Sequence, residues 1–157
     1  MSWVGLGYDS HRFVKGRPLM LGGVHVPFEK GLAGHSDADV VLHAVIDALL
    51  GAAGMGDIGT FYSDKEARWK NADSLLLLAD TFRRLNRRFR VLNVDVTVLA
   101  EEPRLGPYKN RMRAKMARVL KISVDRVNVK ANTNEGMGWV GRKEGLAALA
   151  TCALEKK

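Results

Sequence analysis

Apolar and polar positions change their period several times along the chain, and each change marks an element. Trp3 to Tyr8 reads as a first strand, and Leu19 to Leu21 with Val24 to Phe28 flank Gly22-Gly23, the two-residue signal of a hairpin turn. Val40, Val41, Ala44, Ile46 and Leu50 then recur at helical spacing. Ser36 stands just ahead of them as the predicted N-cap, and the helix is predicted to end near Gly51 to Gly54. A second helix is predicted from just after Asp73 to about Asn86, with Arg83, Arg84, Arg87 and Arg88 at its C-terminal end, where cations suit the helix dipole.

From Val91 to Leu99 the period drops to two, with Val94, Val96 and Val98 alternating against Asn93, Asp95 and Thr97, which predicts a strand with unlike faces. Pro107 to Leu120 predicts a third helix with Met112, Met116, Val119 and Leu120 as its apolar stripe. Val127 to Ala131 and Leu146 to Leu154 are predicted strands, with Gly136 to Gly145 a glycine-rich loop between them. This irregular alternation predicts an α+β fold with helices on one face of a sheet rather than a doubly wound one.

Composition narrows the class. At 157 residues, 46% hydrophobic and 27% charged, the chain suits one ordinary core, so residues 1–157 are predicted to be a single domain. One cysteine, Cys152, excludes an internal disulfide, and the absence of a basic-then-apolar leader points to the cytoplasm. No apolar run approaches the roughly 20 residues that cross a bilayer, so no membrane partner is expected. The excess of 25 Lys and Arg over 17 Asp and Glu, formally +8, favours an anionic partner without choosing between nucleic acid and a phosphorylated metabolite.

Candidate chemistry is concentrated in a few places. In Asp9-Ser10-His11 the outer residues point to the same side of a strand. His43 sits in an apolar helix, where an unpaired imidazole costs free energy to bury. Together these three offer an N/O ligand set suited to Zn2+ with a fourth position open. The alternative is that His43 hydrogen-bonds Asp39 or Asp47, each four residues away. His35-Ser36-Asp37 precedes the same helix, whose free N–H groups can take a phosphate, while Ser36 as a cap alone is the competing role. Lys130 to Glu135 carries a hydroxyl, two amides and a carboxylate, groups that can hold phosphate oxygens and a hard cation such as Mg2+, although taken alone the segment reads first as a polar turn.

Gly5-Leu6-Gly7 lacks the third glycine of a dinucleotide loop, and Gly136 to Gly141 is followed by Arg142 where a P-loop requires Lys. Neither is read as a nucleotide loop. Basic runs from Arg83 to Arg90 and Lys109 to Lys121 lack interleaved aromatic residues apart from Phe89, so they read as solvated helix faces and no nucleic-acid partner is expected.

Seven motifs together resemble one family: Gly7-Tyr8-Asp9-Ser10-His11-Arg12-Phe13, Gly34-His35-Ser36-Asp37-Ala38-Asp39, Leu42-His43-Ala44, Gly54-Met55-Gly56-Asp57-Ile58-Gly59, Asn93-Val94-Asp95-Val96-Thr97, Asn128-Val129-Lys130-Ala131 and Gly138-Trp139-Val140-Gly141-Arg142. The family is that of 2-C-methyl-D-erythritol 2,4-cyclodiphosphate synthase. The resemblance implies a homotrimer of ferredoxin-like α+β subunits with active sites at subunit boundaries. It implies a phosphorus-oxygen lyase of the non-mevalonate isoprenoid pathway, converting 4-diphosphocytidyl-2-C-methyl-D-erythritol 2-phosphate to the cyclic diphosphate and CMP.

By motif position, the resemblance gives zinc to Asp9, His11 and His43, and Mg2+ or Mn2+ to Glu135. His35 and Thr133 fall on transition-state positions, with Ser36 beside them. Asp57 and Gly59 would meet the ribose from the neighbouring subunit, and Ile58 between them is a further substrate-binding position. Ala100, Arg104, Leu105 and Gly106 with Ala131, Asn132 and Asn134 would enclose cytosine and its phosphates. Tyr62, Ser63, Asp64, Lys65 and Glu66 correspond to a loop over the methylerythritol phosphate, here without the family's usual Pro and second Asp. Trp139 and Arg142 fall where members line the trimer's central cavity, which in some holds an isoprenoid diphosphate. The implied compartment is the cytoplasm, or an organellar stroma if a transit segment was removed. Two other classes stay open: a zinc phosphoesterase and a basic RNA-binding module.

Overall fold

The computed structural model describes all residues, Met1–Lys157. Its five-stranded sheet runs in the order β4-β1-β7-β5-β6. The strands are β1 (Ser2–Lys15), β4 (Lys30–Leu32), β5 (Phe89–Leu99), β6 (Val127–Asn132) and β7 (Gly145–Lys156). β5 and β6 are parallel and the other pairs antiparallel. A separate hairpin joins β2 (Leu19–Leu21) to β3 (Val24–Val26). Gly22 and Gly23 both have positive φ, 58° and 72°, which a two-residue turn of this hand requires.

Helices α1 (Val40–Ala52), α3 (Ser74–Leu85) and α4 (Lys109–Leu120) cover one face of the sheet, as the mixed α+β reading expects. Two short helices, α2 (Ile58–Phe61) and α5 (Gly138–Gly141), complete the set, the latter inside the segment read as a loop. No helix is long and apolar enough to cross a membrane.

In the five-stranded sheet the predicted strands run past their expected ends because pairing extends beyond the alternating core, whereas β3 stops at Val26, short of the predicted Phe28. β1 continues to Lys15, so Asp9 and His11 lie within the strand rather than at its end. The N-cap of α1 is Asp39, not Ser36. Ala38 at φ 58° stands in left-handed backbone between them, so the helix cannot begin earlier, and the Ser36 hydroxyl accepts from Ala38 N–H. Asp39, fully buried, accepts from Leu42 N–H at 3.0 Å, Gly22 N–H at 2.9 Å and Gly23 N–H at 2.7 Å. One carboxylate thereby caps the helix and ties the hairpin to it. Burial first, and then the charge of Asp37, push the Asp39 carboxyl up to about 6 against the pull of those N–H groups.

The inward face of β1 alternates Gly5, Gly7, Asp9 and His11. A Cβ on Gly5 would stand 1.9 Å from Ala48 O, and one on Gly7 1.9 Å from Ala44 O. The glycines that resembled a nucleotide loop are thus the floor on which the Ala44, Ala48 and Ala52 edge of α1 rests backbone to backbone. On the opposite face Val4, Leu6 and Tyr8 are 73%, 66% and 52% exposed, an apolar strip with no covering element in the chain.

Gly7→Ala places a methyl group on the Ala44 carbonyl and is expected to lower stability by about 1–3 kcal/mol. Gly51→Ala, at an α1 position with nothing within 4 Å of the new carbon, is expected to raise it by about 0.5–1 kcal/mol. Urea denaturation of the two variants checks both signs.

Candidate functional site

Asp9 and His11 share one side of β1 because residues two apart on a strand do so, and α1 lowers His43 onto them from above. The Asp9 Oδ2 atom lies 2.9 Å from His11 Nε2 and 3.0 Å from His43 Nδ1, and the two ring nitrogens are 3.3 Å apart. His43 therefore does not use Asp39 or Asp47. Asp39 is committed to three backbone N–H groups, and Asp47 accepts from Ile58 N–H at 2.7 Å.

Three donor atoms at these separations fit a small divalent cation. Bonds of about 2.0–2.1 Å to tetrahedral zinc put neighbouring ligand atoms about 3.3 Å apart. Two imidazoles and a carboxylate are also the donor set of a zinc centre that keeps a position for a non-protein ligand. Electrostatics point the same way. Burial raises the Asp9 carboxyl, but the hydrogen bonds and charges of His11 and His43 hold it far below the usual carboxylate range. Burial alone would make His43 more acidic, and Asp9, with Asp39 and Asp37 behind it, raises it instead. A cation takes the place of the protons that this cluster otherwise gathers.

The cluster forms one wall of a cavity of about 460 Å³. His35, Ser36, Ile58, Gly59, Tyr62, Ser63 and Asp64 line it, together with Trp69 and Leu77, which the sequence reading missed. Only the apolar period of Leu77 within α3 hinted at either. His35 Nε2 is 3.2 Å from the Glu66 carbonyl, and Asn71 N–H donates to His35 O at 2.8 Å, so the loop after α2 is held against the turn preceding α1. Tyr62 is anchored by its hydroxyl, which donates to Asp80 at 2.9 Å, while the edge of its ring meets Trp69. Trp69 Nε1 is buried and has no hydrogen-bond partner. Asp57 lies outside the cavity as the N-cap of α2, accepting from Thr60 at 2.9 Å, and Lys65 and the Glu66 side chain are not part of its lining.

The remaining predicted residues gather elsewhere. Ala100, Arg104, Leu105, Gly106, Ala131, Asn132 and Thr133 line a second cavity of about 490 Å³ beyond the C-terminal ends of the parallel strands β5 and β6. That crevice is where open sheets bind ligands. Glu101 and Pro103, within the implied segment from Ala100 to Gly106, belong to it, as does Lys109, which was missed; Glu101 accepts from Asn134 N–H at 2.8 Å and so shapes the turn. Glu135 follows in left-handed backbone at φ 51°, and accepts a hydrogen bond from the Thr133 hydroxyl at 3.2 Å.

The two cavities share no lining residue. Asp9 pairs with Ala148, Ala148 with Val98 and Val98 with Ala131, so three strand spacings, about 14 Å, separate them across the sheet. Trp139 lines a third cavity of about 610 Å³ with Arg12, Phe13, Lys30, Lys143 and Glu144. Arg142 stands beside it and donates to Glu144 at 2.6 Å.

Comparison with known proteins agrees with this geometry. Residues 2–155 match the model of the YgbB family. The chain is 55% identical over 153 residues to 2-C-methyl-D-erythritol 2,4-cyclodiphosphate synthase of Salinibacter ruber, covering 97% of this chain and 98% of that one. Among solved structures it superimposes on the bifunctional IspDF from Campylobacter jejuni with a TM-score of 0.96 at 41% identity, covering all of this chain and 43% of that protein. A 2C-methyl-D-erythritol-2,4-cyclodiphosphate synthase in its CDP-bound form gives a TM-score of 0.88 at 33% identity, covering 97% of this chain and 99% of that one. With a family match over nearly its whole length and relatives above half identity, the chain belongs to the YgbB family.

Proposed function

We propose that this chain is a cyclodiphosphate synthase, a lyase of isoprenoid biosynthesis that closes 4-diphosphocytidyl-2-C-methyl-D-erythritol 2-phosphate into the 2,4-cyclic diphosphate and releases CMP. The observation that carries the reading is the cluster of Asp9, His11 and His43 on the wall of a cavity that also holds His35 and Ser36. Family membership supplies the reaction class.

In this reading the substrate's own 2-phosphate oxygen attacks the β-phosphorus. The bond from that phosphorus to the oxygen bridging to the α-phosphate breaks, and its electron pair leaves with CMP. No protein nucleophile is consumed, so the chain's task is positioning and charge compensation. Asp9, His11 and His43 hold zinc, which when bound supplies Lewis-acid charge to a phosphoryl oxygen. His35 donates from its ring and Ser36 from its hydroxyl to phosphate oxygens. Ile58, Tyr62, Trp69 and Leu77 exclude water around the branched carbon skeleton, with Ser63, Asp64, Lys65 and Glu66 closing over it. At the other end Ala100, Arg104, Leu105, Gly106, Ala131, Asn132 and Asn134 enclose the cytidine phosphates, Thr133 donates to them, and Glu135 holds Mg2+ or Mn2+. Asp57 and Gly59 meet the ribose.

Such a substrate must touch both cavities at once. The separation of about 14 Å within one chain, and the uncovered strip of Val4, Leu6 and Tyr8, support a homotrimer in which the first cavity of one subunit faces the second cavity of the next. In that assembly residues 1–157 act as one domain, and the third cavity, with Trp139 and Arg142, contributes to a central chamber whose cations suit an isoprenoid diphosphate. The reading places the enzyme in the cytoplasm, or in a stroma after removal of a transit segment.

Stripping divalent cations is expected to abolish CMP release, with full recovery requiring zinc together with Mg2+ or Mn2+. Asp9→Asn is expected to lower the rate at least about a hundredfold without unfolding the chain. Chromatography of the product separates ring closure from hydrolysis: the cyclic diphosphate supports the proposal, and a linear phosphate assigns a phosphoesterase. Leu6→Glu is expected to yield monomers in analytical ultracentrifugation that still bind about one zinc per chain but release no CMP.

A further inference from the structure

His43 has two ring nitrogens, and only one of them faces the candidate metal position. Nδ1 lies against Asp9 and His11, whereas Nε2 lies 3.1 Å from Ser36 Oγ and 3.1 Å from Ser74 Oγ. The two hydroxyls are not equivalent. Ser74, fully buried as the first residue of α3, donates its hydroxyl hydrogen to Asp37 Oδ1 at 2.5 Å, and its backbone N–H donates to Asp37 Oδ2 at 3.0 Å. With the hydrogen spent on the carboxylate, Ser74 turns only lone pairs toward His43. Ser36 is under no such constraint: its oxygen accepts from Ala38 N–H at 3.2 Å and its hydrogen can rotate.

We propose that Ser74, oriented by Asp37, is a positioning residue that keeps the His43 proton on Nε2 and so leaves the Nδ1 lone pair for the metal. The order of groups runs Asp37 carboxylate, Ser74 hydroxyl, His43 imidazole, metal, with the serine inserted where a carboxylate or carbonyl usually contacts a ligand histidine directly. Each link is needed in this direction. A hydrogen on Ser74 pointing at Nε2 favours the other tautomer, in which Nδ1 carries the proton and cannot ligate. The bond through Asp37 to the N–H of Ser74 also fixes the first turn of α3 to the turn preceding α1, so the ring's orientation and the packing of the two helices are set by the same side chains.

The inference rests on the zinc reading above and extends it to residues outside the ligand set. Its test uses the purified full-length chain and zinc alone. Competition against a chromogenic chelator is expected to show zinc affinity reduced about tenfold to a hundredfold in Ser74→Ala and in Asp37→Ala, and changed less than about twofold in Ser36→Ala. Unfolding temperatures of the zinc-free variants report any purely structural loss separately. A variant-free readout is the long-range 15N spectrum of the zinc-loaded wild type, where His43 is expected to ligate through Nδ1 and to carry its proton on Nε2. Wild-type zinc affinity in Ser74→Ala, an equal loss in Ser36→Ala, or ligation of zinc through Nε2 of His43 in the spectrum each overturn the proposal. Because none of these measurements involves substrate, a chain that passes them and makes no CMP refutes the proposed reaction while leaving the role of Ser74 intact.

Discussion

The contact on which the rest depends is the seating of α1 on β1 through Gly5 and Gly7. A helix lying on a sheet normally stands off by the thickness of its side chains. Here the alanine edge of α1 meets bare strand backbone, close enough that either glycine's missing Cβ would overlap a helix carbonyl. His43 immediately precedes Ala44, and Asp9 is the next inward residue of β1 after Gly7. The depth and register of that seating thus fix how far the imidazole reaches, and they bring Nδ1 to 3.0 Å from Asp9 Oδ2. Bulk at either glycine acts on the metal cluster without touching it.

The same seating explains why so polar a cluster tolerates its place beside the core. Asp9, His11 and His43 are each largely shielded from water, and the nearest nitrogens of the two imidazoles are 3.3 Å apart. Without a cation that arrangement gathers protons, and with one it becomes a compact ligand set. Asp37, Ser36 and Ser74 finish the far side of His43, so both ring nitrogens have partners. At the opposite side of the sheet, the parallel pair β5 and β6 opens its C-terminal end into the nucleotide-sized crevice. The two cavities of one chain thus lie apart across the sheet, and the apolar strip on β1 is left uncovered.

Much of this was legible in the sequence, for identifiable reasons. The hairpin followed from Gly22-Gly23, the strand at residues 91–99 from its alternation, and the α+β class from the order of elements. Asp9 and His11 were legible as a pair because strand geometry alone puts them on one side. His43 was legible as needing a partner because an unpaired imidazole is costly to bury, and the sequence left Asp39 and Asp47 open as that partner beside Asp9. What escaped depended on the third dimension. Ser36 and Asp39 are both good capping residues, and only the left-handed Ala38 between them decides for Asp39. β4 and α2 are too short to carry a period. Gly5 and Gly7 have their meaning from a helix some 40 residues on, and Ser74 stands 31 residues from the ring it contacts. Trp69 sits in an irregular segment where no pattern precedes contact.

The most direct test of the account is a crystallographic anomalous-difference map of the zinc-loaded protein recorded at the zinc edge. The account predicts one strong peak per chain at about 2.0–2.2 Å from Asp9 Oδ2, His11 Nε2 and His43 Nδ1, with its remaining position turned into the cavity beside His35 and no fourth protein ligand. A peak bound elsewhere, or one at this cluster closed by a fourth side chain, contradicts it.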